Sequence, residues 1–304
     1  MTPHYDVLLT GPYFCDMVFN GLPEMPQLGR DVFSSSFDMV AGGVFYTAQA
    51  LHRLGVLAGW KCNVGNDLFS RFIIESAQTE GMDTALFQHH ERPLRRIAAA
   101  FSFAHDRGFV SYIDDLPDIL PLTEIAQYQP RCLFLSHIGY WQTLSTLANL
   151  PQRQHMLVYM DCQDTTLTLE TPGLVEALAC VDVFAPNETE ALHLTGETAV
   201  SAALGKLADI VPTAVIKLGS KGAIAQRGGE VIAVPPIAIT PVDTTGAGDC
   251  FNAGFIYGLL QNASLADCLR YGNIVGGLAT TNVGGTAVPA APLDLQTYFP
   301  KDRV

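Results

Sequence analysis

Seven residues, Asp243-Thr-Thr-Gly-Ala-Gly-Asp249, hold the densest chemistry in the sequence. They run straight into Cys250-Phe-Asn-Ala-Gly-Phe-Ile-Tyr-Gly-Leu-Leu260, an apolar, helix-forming stretch. Small residues at a helix start leave the first backbone N–H groups bare, where the macrodipole is positive. Gly246, Ala247 and Gly248 therefore form a candidate anion hole. Asp249, at the same junction, can take a proton from a nucleophile that attacks the bound anion. Anion hole plus adjacent base is the minimal equipment for phosphoryl transfer to a hydroxyl. Taken alone, Gly-Ala-Gly-Asp also describes a plain helix whose first-turn acid complements the dipole.

Other residues extend this chemistry. No Gly-x-x-x-x-Gly-Lys-Ser/Thr occurs, so a Walker loop is excluded as the phosphate cradle, and no His-Glu-x-x-His occurs either. Asn187 and Glu190 lie three apart after Pro186, on one face of a helix start; helix capping is the alternative use of that spacing. Lys217 to Gly222 follows an apolar run, and Gly219 and Gly222 allow close backbone approach around Ser220; an ordinary strand–turn–strand reads the same way. Asp16 can accept hydrogen bonds from vicinal hydroxyls, and Gly42-Gly43 lets a ligand near the backbone. His137 reads as a packing histidine. His89-His90 has no third ligand nearby and is assigned no metal.

These motifs, in this order, resemble the ribokinase-like (PfkB) carbohydrate kinase family. Gly11 through Asp16 is similar to the family's first strand and its substrate-binding Asp. Ala41-Gly42-Gly43, running to Ala50-Leu51-His52-Arg53-Leu54-Gly55, resembles its amino-terminal signature. Val64-Gly65-Asn66-Asp67 and Gly81-Met82-Asp83 resemble the next helix and its flanks. Pro186-Asn187-Glu188-Thr189-Glu190, with Leu194-Thr195-Gly196, resembles its Asn-x-x-Glu motif. Lys217-Leu218-Gly219-Ser220-Lys221-Gly222 resembles its nucleotide-side loop, and 243–249 its carboxyl-terminal signature.

The resemblance implies ATP and Mg2+ as cofactors, with Asp249 as base and Gly246, Ala247 and Gly248 at the phosphate. It implies that Asn187, Glu190, Lys217, Gly219, Ser220, Gly222, Thr244 and Asn273 line the nucleotide, and that Glu190 holds Mg2+ through water. Asp243, Thr245 and the loop 283–286 resemble a monovalent-cation (K+) site found in part of the family. Asp16, Gly42, Gly43 and the residue near 46 are implied to bind the acceptor. There the pattern breaks: the family's usual Asn is replaced by Tyr46 or Thr47, depending on the direction of counting. An aromatic ring narrows the pocket and favours stacking over an amide contact.

The chain has 304 residues, 48% of them hydrophobic, enough for a large core. Its net charge is −13 with 17 Lys and Arg and no basic run, which argues against a nucleic-acid partner and against anionic membranes. Seven scattered cysteines without a C-x-x-C suggest core residues in a reducing compartment. The first residues lack a basic n-region, and the sequence shows no long apolar span, so a cytoplasmic protein is expected.

The elements follow from periodicity. Tyr5–Thr10, Val56–Val64, Cys132–Ser136, Leu157–Asp161, Val183–Ala185 and Ala214–Leu218 read as short buried strands. Residues after Gly43 to Gly55, and Phe69 to Gly81, read as glycine-stopped helices. Leu94–Phe103 and Phe109–Ile113 read as paired strands, Ala223–Gln226 and Val231–Val234 as a hairpin. Two helices span about 246–261 and 265–282. Pro12 to Ser36 reads as irregular. Strands alternating with helices predict an α/β fold: a doubly wound, mostly parallel sheet with helices on both faces. One domain is expected over 1–304. The resemblance makes segments 13–34 and 89–115 a small β lid over the sugar, which suits a reaction that must exclude water.

The expected activity is ATP-dependent phosphorylation of a hydroxymethyl group of a small sugar. A free sugar is favoured, since the acceptor segments show no paired Arg or Lys beyond Arg30. A nucleoside kinase of the same family is the nearest alternative, with Tyr46 stacking on a base. A catalytically inactive sugar or nucleotide sensor is the alternative outside enzymes. A dinucleotide oxidoreductase lacks its G-x-G-x-x-G after the first strand. Exposed lid strands offer a route to a homodimer.

Overall fold

The computed structural model describes residues 5–103, 107–114, 116–117, 119–163, 165–282 and 295–298. Among these described residues thirteen strands and eight α-helices follow in order: β1 Val7–Thr10, β2 Tyr13–Asn20, β3 Ser36–Gly43, α1 Val44–Arg53, β4 Ala58–Val64, α2 Leu68–Glu80, β5 Phe87–His89, β6 Arg96–Ser102 and β7 Arg107–Ile113. Next come α3 Leu122–Tyr128, β8 Cys132–Leu135, β9 Leu157–Met160, α4 Leu174–Leu178, β10 Val183–Phe184, α5 Glu188–Thr195, α6 Val200–Ala208, β11 Thr213–Lys217, β12 Ala223–Arg227, β13 Glu230–Val234, α7 Ala247–Leu260 and α8 Leu265–Ala279.

Nine strands form one sheet in the order β13-β12-β11-β10-β9-β8-β1-β4-β5. From β11 to β5 all pairs are parallel; β12 and β13 close one edge as an antiparallel hairpin. The parallel strands are short apolar runs because both faces are covered. Val7 and Leu9 of β1 join a core with α1, α2, α7 and α8, whereas Leu8 points into a second core with α3 to α6. The same alternation holds for Tyr159 against Val158 and Met160, and for Val215 against Ala214 and Ile216. The expected doubly wound α/β architecture is therefore present.

Chain direction matters for function. β1 pairs with β4 on one side and β8 on the other, so the connections diverge there and open a crevice at the carboxyl ends of the strands. Asp161 follows β9, Asn187 follows β10 and Lys217 ends β11, so all three emerge at that edge.

A second sheet of four strands, β3-β2-β6-β7, stands apart from the first. Here the irregular reading of 12–36 needs correction. Residues 13–20 form an eight-residue strand that pairs with β3 and with the distant β6. Its apolar residues fall on both faces, which hid the period of two, and its partner residues on β6 lie eighty-two positions away. The small sheet also extends beyond the expected segments: β3 runs to Gly43, while β5 belongs to the edge of the large sheet. Its faces differ. Asp16, Val18, Ala98 and Ala100 are buried, while Phe37, Met39, Val110 and Tyr112 on the other face are exposed.

Candidate active site

Helix α7 begins at Gly246, whose φ of 73° lies in the left-handed region, and no side chain caps it. The Tyr46 ring lies directly beneath. A Cβ added to Gly246 would stand 2.8 Å from that ring, so both backbone angle and contact require glycine. The Cys250 N–H makes the first helical bond, to Gly246 O, and the Ala247 N–H returns to Thr244 O. The N–H groups of Gly248 and Asp249 thus lie ahead of the helical ladder, bare at the helix start. Thr47 secures the turn from α1: its hydroxyl donates to Asp249 O at 3.1 Å.

Asp249 itself is half-buried, and burial followed by the charge of Asp161 raises its pKa to about 8. Lys217 opposes that rise, while Asp16 and Glu190 add to it. Five ionisable groups from five separate stretches of chain therefore share one electrostatic site.

Lys217 is anchored within it. Its Nζ donates to both carboxylate oxygens of Asp161 at 2.8 Å, and lies 3.4 Å from Asn252 Oδ1. Asp161 is only 6% exposed at its side chain, and it also accepts from Asn252 Nδ2 at 2.5 Å and from the Cys162 N–H. Tyr159 donates to Asn252 Oδ1 at 2.9 Å. Burial pulls the Lys217 pKa down, but Asp161, Glu190 and Asp249 together outweigh it and the net shift is upward, so the ammonium stays charged.

On the acceptor side, Asp16 is 6% exposed and takes a hydrogen bond from the Tyr46 hydroxyl at 3.0 Å. A Cβ on Gly42 would stand 2.1 Å from Asp16 Oδ2, so Gly42 clears the space that the carboxylate fills. Gly43 carries the chain from β3 into α1 with φ 66°. Tyr46 is 2% exposed; with its ring on Gly246 and its hydroxyl on Asp16, it supports the acceptor region instead of offering a free face for stacking.

The remaining candidates lie on several elements. Asn187 and Glu190 form a reciprocal capping box on α5: Glu190 N donates to Asn187 Oδ1 at 2.9 Å, and Asn187 N to Glu190 Oε2 at 2.8 Å. Their helix is tied to Lys217 by the bond from Lys217 N to Pro186 O and by an Asn187–Lys217 bridge. Gly219, Ser220 and Gly222 form a tight turn at the end of β11, with Gly219 and Ser220 exposed. Thr244 is exposed in the approach to α7. Asn273 is buried and donates its amide to Val234 O and Pro235 O at 3.0 Å each, joining α8 to β13. Asp243 accepts from Thr245 N and Oγ1 at 2.9 and 2.7 Å. The loop 283–286 lies outside the described residues. Among those residues no cluster of three His, Cys, Asp or Glu suits a metal. His137 accepts from Gly139 N as a cap, and His90 bonds Asn63.

A family model described as pfkB family carbohydrate kinase matches residues 28–291. The chain belongs to the PfkB carbohydrate kinase family. An uncharacterized sugar kinase of Archaeoglobus fulgidus is 29% identical over 234 residues, covering 75% of this chain and 92% of that one. A fructokinase of Vibrio cholerae, solved with fructose, ADP and calcium, superposes with a TM-score of 0.74 at 25% identity, covering 97% of this chain and 99% of that one. A ribokinase of Arabidopsis thaliana, solved with ribose and ATP, gives 0.78 at 21%, covering 97% and 98%. The protein is thus a sugar kinase, and its ATP-dependent activity follows from the family.

Two residues of this kinase's site escaped the sequence reading. Asp161 ends an apolar strand, and a carboxylate at the carboxyl end of a parallel strand is a usable signal. Asn252 lies three residues after Asp249 on α7, and that spacing places it on the same helical face. Arg96 was also passed over. It is 5% exposed, its guanidinium lies 5.5 Å over the Tyr13 ring, and its Nε has no partner among the described residues.

Proposed function

We propose that this kinase transfers the γ-phosphoryl group of ATP to a hydroxymethyl group of a small sugar, with Asp249 as general base. One observation carries the reading: Asp249 stands at the uncapped start of α7, within electrostatic reach of both the Lys217 ammonium and the Asp16 carboxylate. Asp16, held by Tyr46 and admitted by Gly42, orients the sugar hydroxyls. The acceptor oxygen gives its proton to Asp249 and forms the new O–P bond. The bond from γ-phosphorus to the bridging oxygen breaks, and its electron pair leaves with ADP. The N–H groups of Gly248 and Asp249 face the charge that develops.

Asn187, Glu190, the turn Gly219-Ser220-Lys221-Gly222, Thr244 and Asn273 are proposed to line the nucleotide. Glu190 suits a water-mediated Mg2+ contact, because it is a carboxylate at the crevice edge with Oε2 accepting from the Asn187 N–H; Mg2+ is commonly held by phosphates, waters and few carboxylates. When bound, the ion would neutralise phosphate charge. Asp243 and Thr245 are the residues of this chain that would neighbour a monovalent cation such as K+.

The whole chain, 1–304, is proposed to act as one domain, with the four-stranded sheet as a lid over the sugar. The lid's outer face sets Phe19 against Phe37 and Phe101 at centroid distances of 5.1 and 5.8 Å, beside exposed Met39, Val110 and Tyr112. A contiguous apolar face of this kind supports a homodimer through the lid. Nucleoside kinase activity is less well supported, since buried Tyr46 offers no ring to a base.

The test is ADP release from Mg-ATP across pentoses, hexoses, sugar acids and nucleosides, with Asp249→Asn as control. Turnover on a neutral sugar that vanishes in the control is expected. Turnover confined to nucleosides refutes the reading, and turnover confined to sugar acids replaces the neutral acceptor with an anionic one and directs attention to Arg96.

A further inference from the structure

We propose that the Lys217 ammonium is a catalytic residue that grips the transferring phosphoryl group, with Asp161 and Asn252 holding it ready beside the anion hole. The inference rests on the kinase reading above and goes beyond the backbone role expected of the loop that Lys217 begins.

Three observations carry it. Lys217 Nζ has two strong acceptors, the oxygens of Asp161 at 2.8 Å, and only a 3.4 Å contact to Asn252 for its remaining hydrogen. One N–H is therefore weakly spent, and an ammonium can turn it outward without breaking the ion pair. Gly248 lies alongside it: a Cβ there would meet Nζ at 3.5 Å and Cε at 3.9 Å, ordinary contact distances. The ammonium thus lies against the backbone whose N–H groups face the phosphate. Finally, Asp161 is fixed by Asn252 Nδ2 and the Cys162 N–H, and Asn252 by Tyr159, so the assembly is rigid before any ligand arrives.

The charge balance is favourable. Three carboxylates, Asp161, Asp16 and Glu190, surround Asp249 and all disfavour an incoming polyphosphate. Lys217 is the buried cation that offsets them. As the O–P bond forms and the bond to the bridging oxygen breaks, negative charge spreads over the peripheral oxygens and the leaving ADP. A fixed ammonium at that point stabilises the transition state more than the ground state.

A simple ion-pair role would also explain a buried Lys–Asp contact, so the experiment must separate the two. The proteins are wild type, Lys217→Met, Asp161→Asn and the double variant. The readouts are thermal stability, Mg-ATP and Mg-ADP affinity by calorimetry, and kcat on the accepted sugar. Lys217→Met strands the Asp161 charge and is expected to lower stability; the double variant removes that charge and is expected to recover it. Activity should not recover: kcat stays down by on the order of 100-fold or more in both proteins that lack Lys217. Affinity for ATP falls about tenfold relative to ADP, because ADP lacks the phosphoryl that Lys217 grips. Recovery of kcat in the double variant to within a few-fold of wild type overturns the proposal, as does an unchanged ATP-to-ADP affinity ratio. If Lys217→Met does not fold, the double variant alone carries the test. If no acceptor is found for the wild type, the affinity ratio still decides, so failure of the acceptor reading is distinguishable from failure of this one.

Discussion

Asp249→Asn should make the ligand-free protein more stable, and increasingly so as pH rises from about 4 to 8. The argument follows from the site's electrostatics. Burial and then Asp161 raise the Asp249 pKa from 3.8 to about 8. Between those values the native state holds a proton that the unfolded state has released, so folding stability falls as pH rises through the window and levels off above it. At about 1.4 kcal/mol per pH unit, the full shift gives a ceiling near ~6 kcal/mol. Asp249 is only half-buried, so the measured difference should fall below that ceiling. An amide of the same shape removes the term altogether. Urea unfolding of both proteins without nucleotide or Mg2+, at several pH values from 4.5 to 9, reads it directly. The two stabilities should coincide near pH 4 and diverge to a plateau above pH 8. Parallel curves, or a variant no more stable at pH 9, would show that the carboxylate is not held in a costly ionised state.

Further expectations concern rate, acceptor and assembly. The kcat/KM of the wild type should rise with pH up to a limb near 8 as Asp249 ionises, and a flat profile between pH 6 and 9 would contradict its role as base in the free enzyme. Gly42→Ala pushes a methyl to within 2.1 Å of the Asp16 carboxylate, so acceptor KM should rise about tenfold or more while ATP affinity holds; acceptor KM near wild type would remove Asp16 from that contact. Val110→Glu on the exposed lid face should shift a dimer to monomer in sedimentation velocity without changing the fold by circular dichroism, and a wild type already monomeric at high concentration would refute the lid interface.

Much of this molecule is legible from its residues. Strands β1, β8, β9 and β11 declare themselves as four- to five-residue apolar runs because both faces are covered, and helices α1 and α2 end where Gly55 and Gly81 stop them. The motif 243–249 lies where a helix starts bare, as its small residues imply. What stayed hidden is non-local. Strand β2 has no clean alternation, and only partners at 36–43 and 96–102 make it a strand. Asp161 and Lys217 are fifty-six residues apart, and their ion pair exists because β9 and β11 flank β10 in one parallel sheet. Tyr46 read as a candidate stacking ring; its position under Gly246 depends on α1 packing against α7, which no local pattern reports.

The central claim is that Asp249 delivers a sugar hydroxymethyl to the γ-phosphoryl of ATP. Phosphorus NMR of the reaction mixture, with coupling to sugar protons, tests it most directly. The account predicts ADP together with a phosphate monoester coupled to two protons on one carbon, formed by wild type and absent with Asp249→Asn. Inorganic phosphate without an ester, an ester on a secondary carbon, or undiminished product from the variant would contradict it.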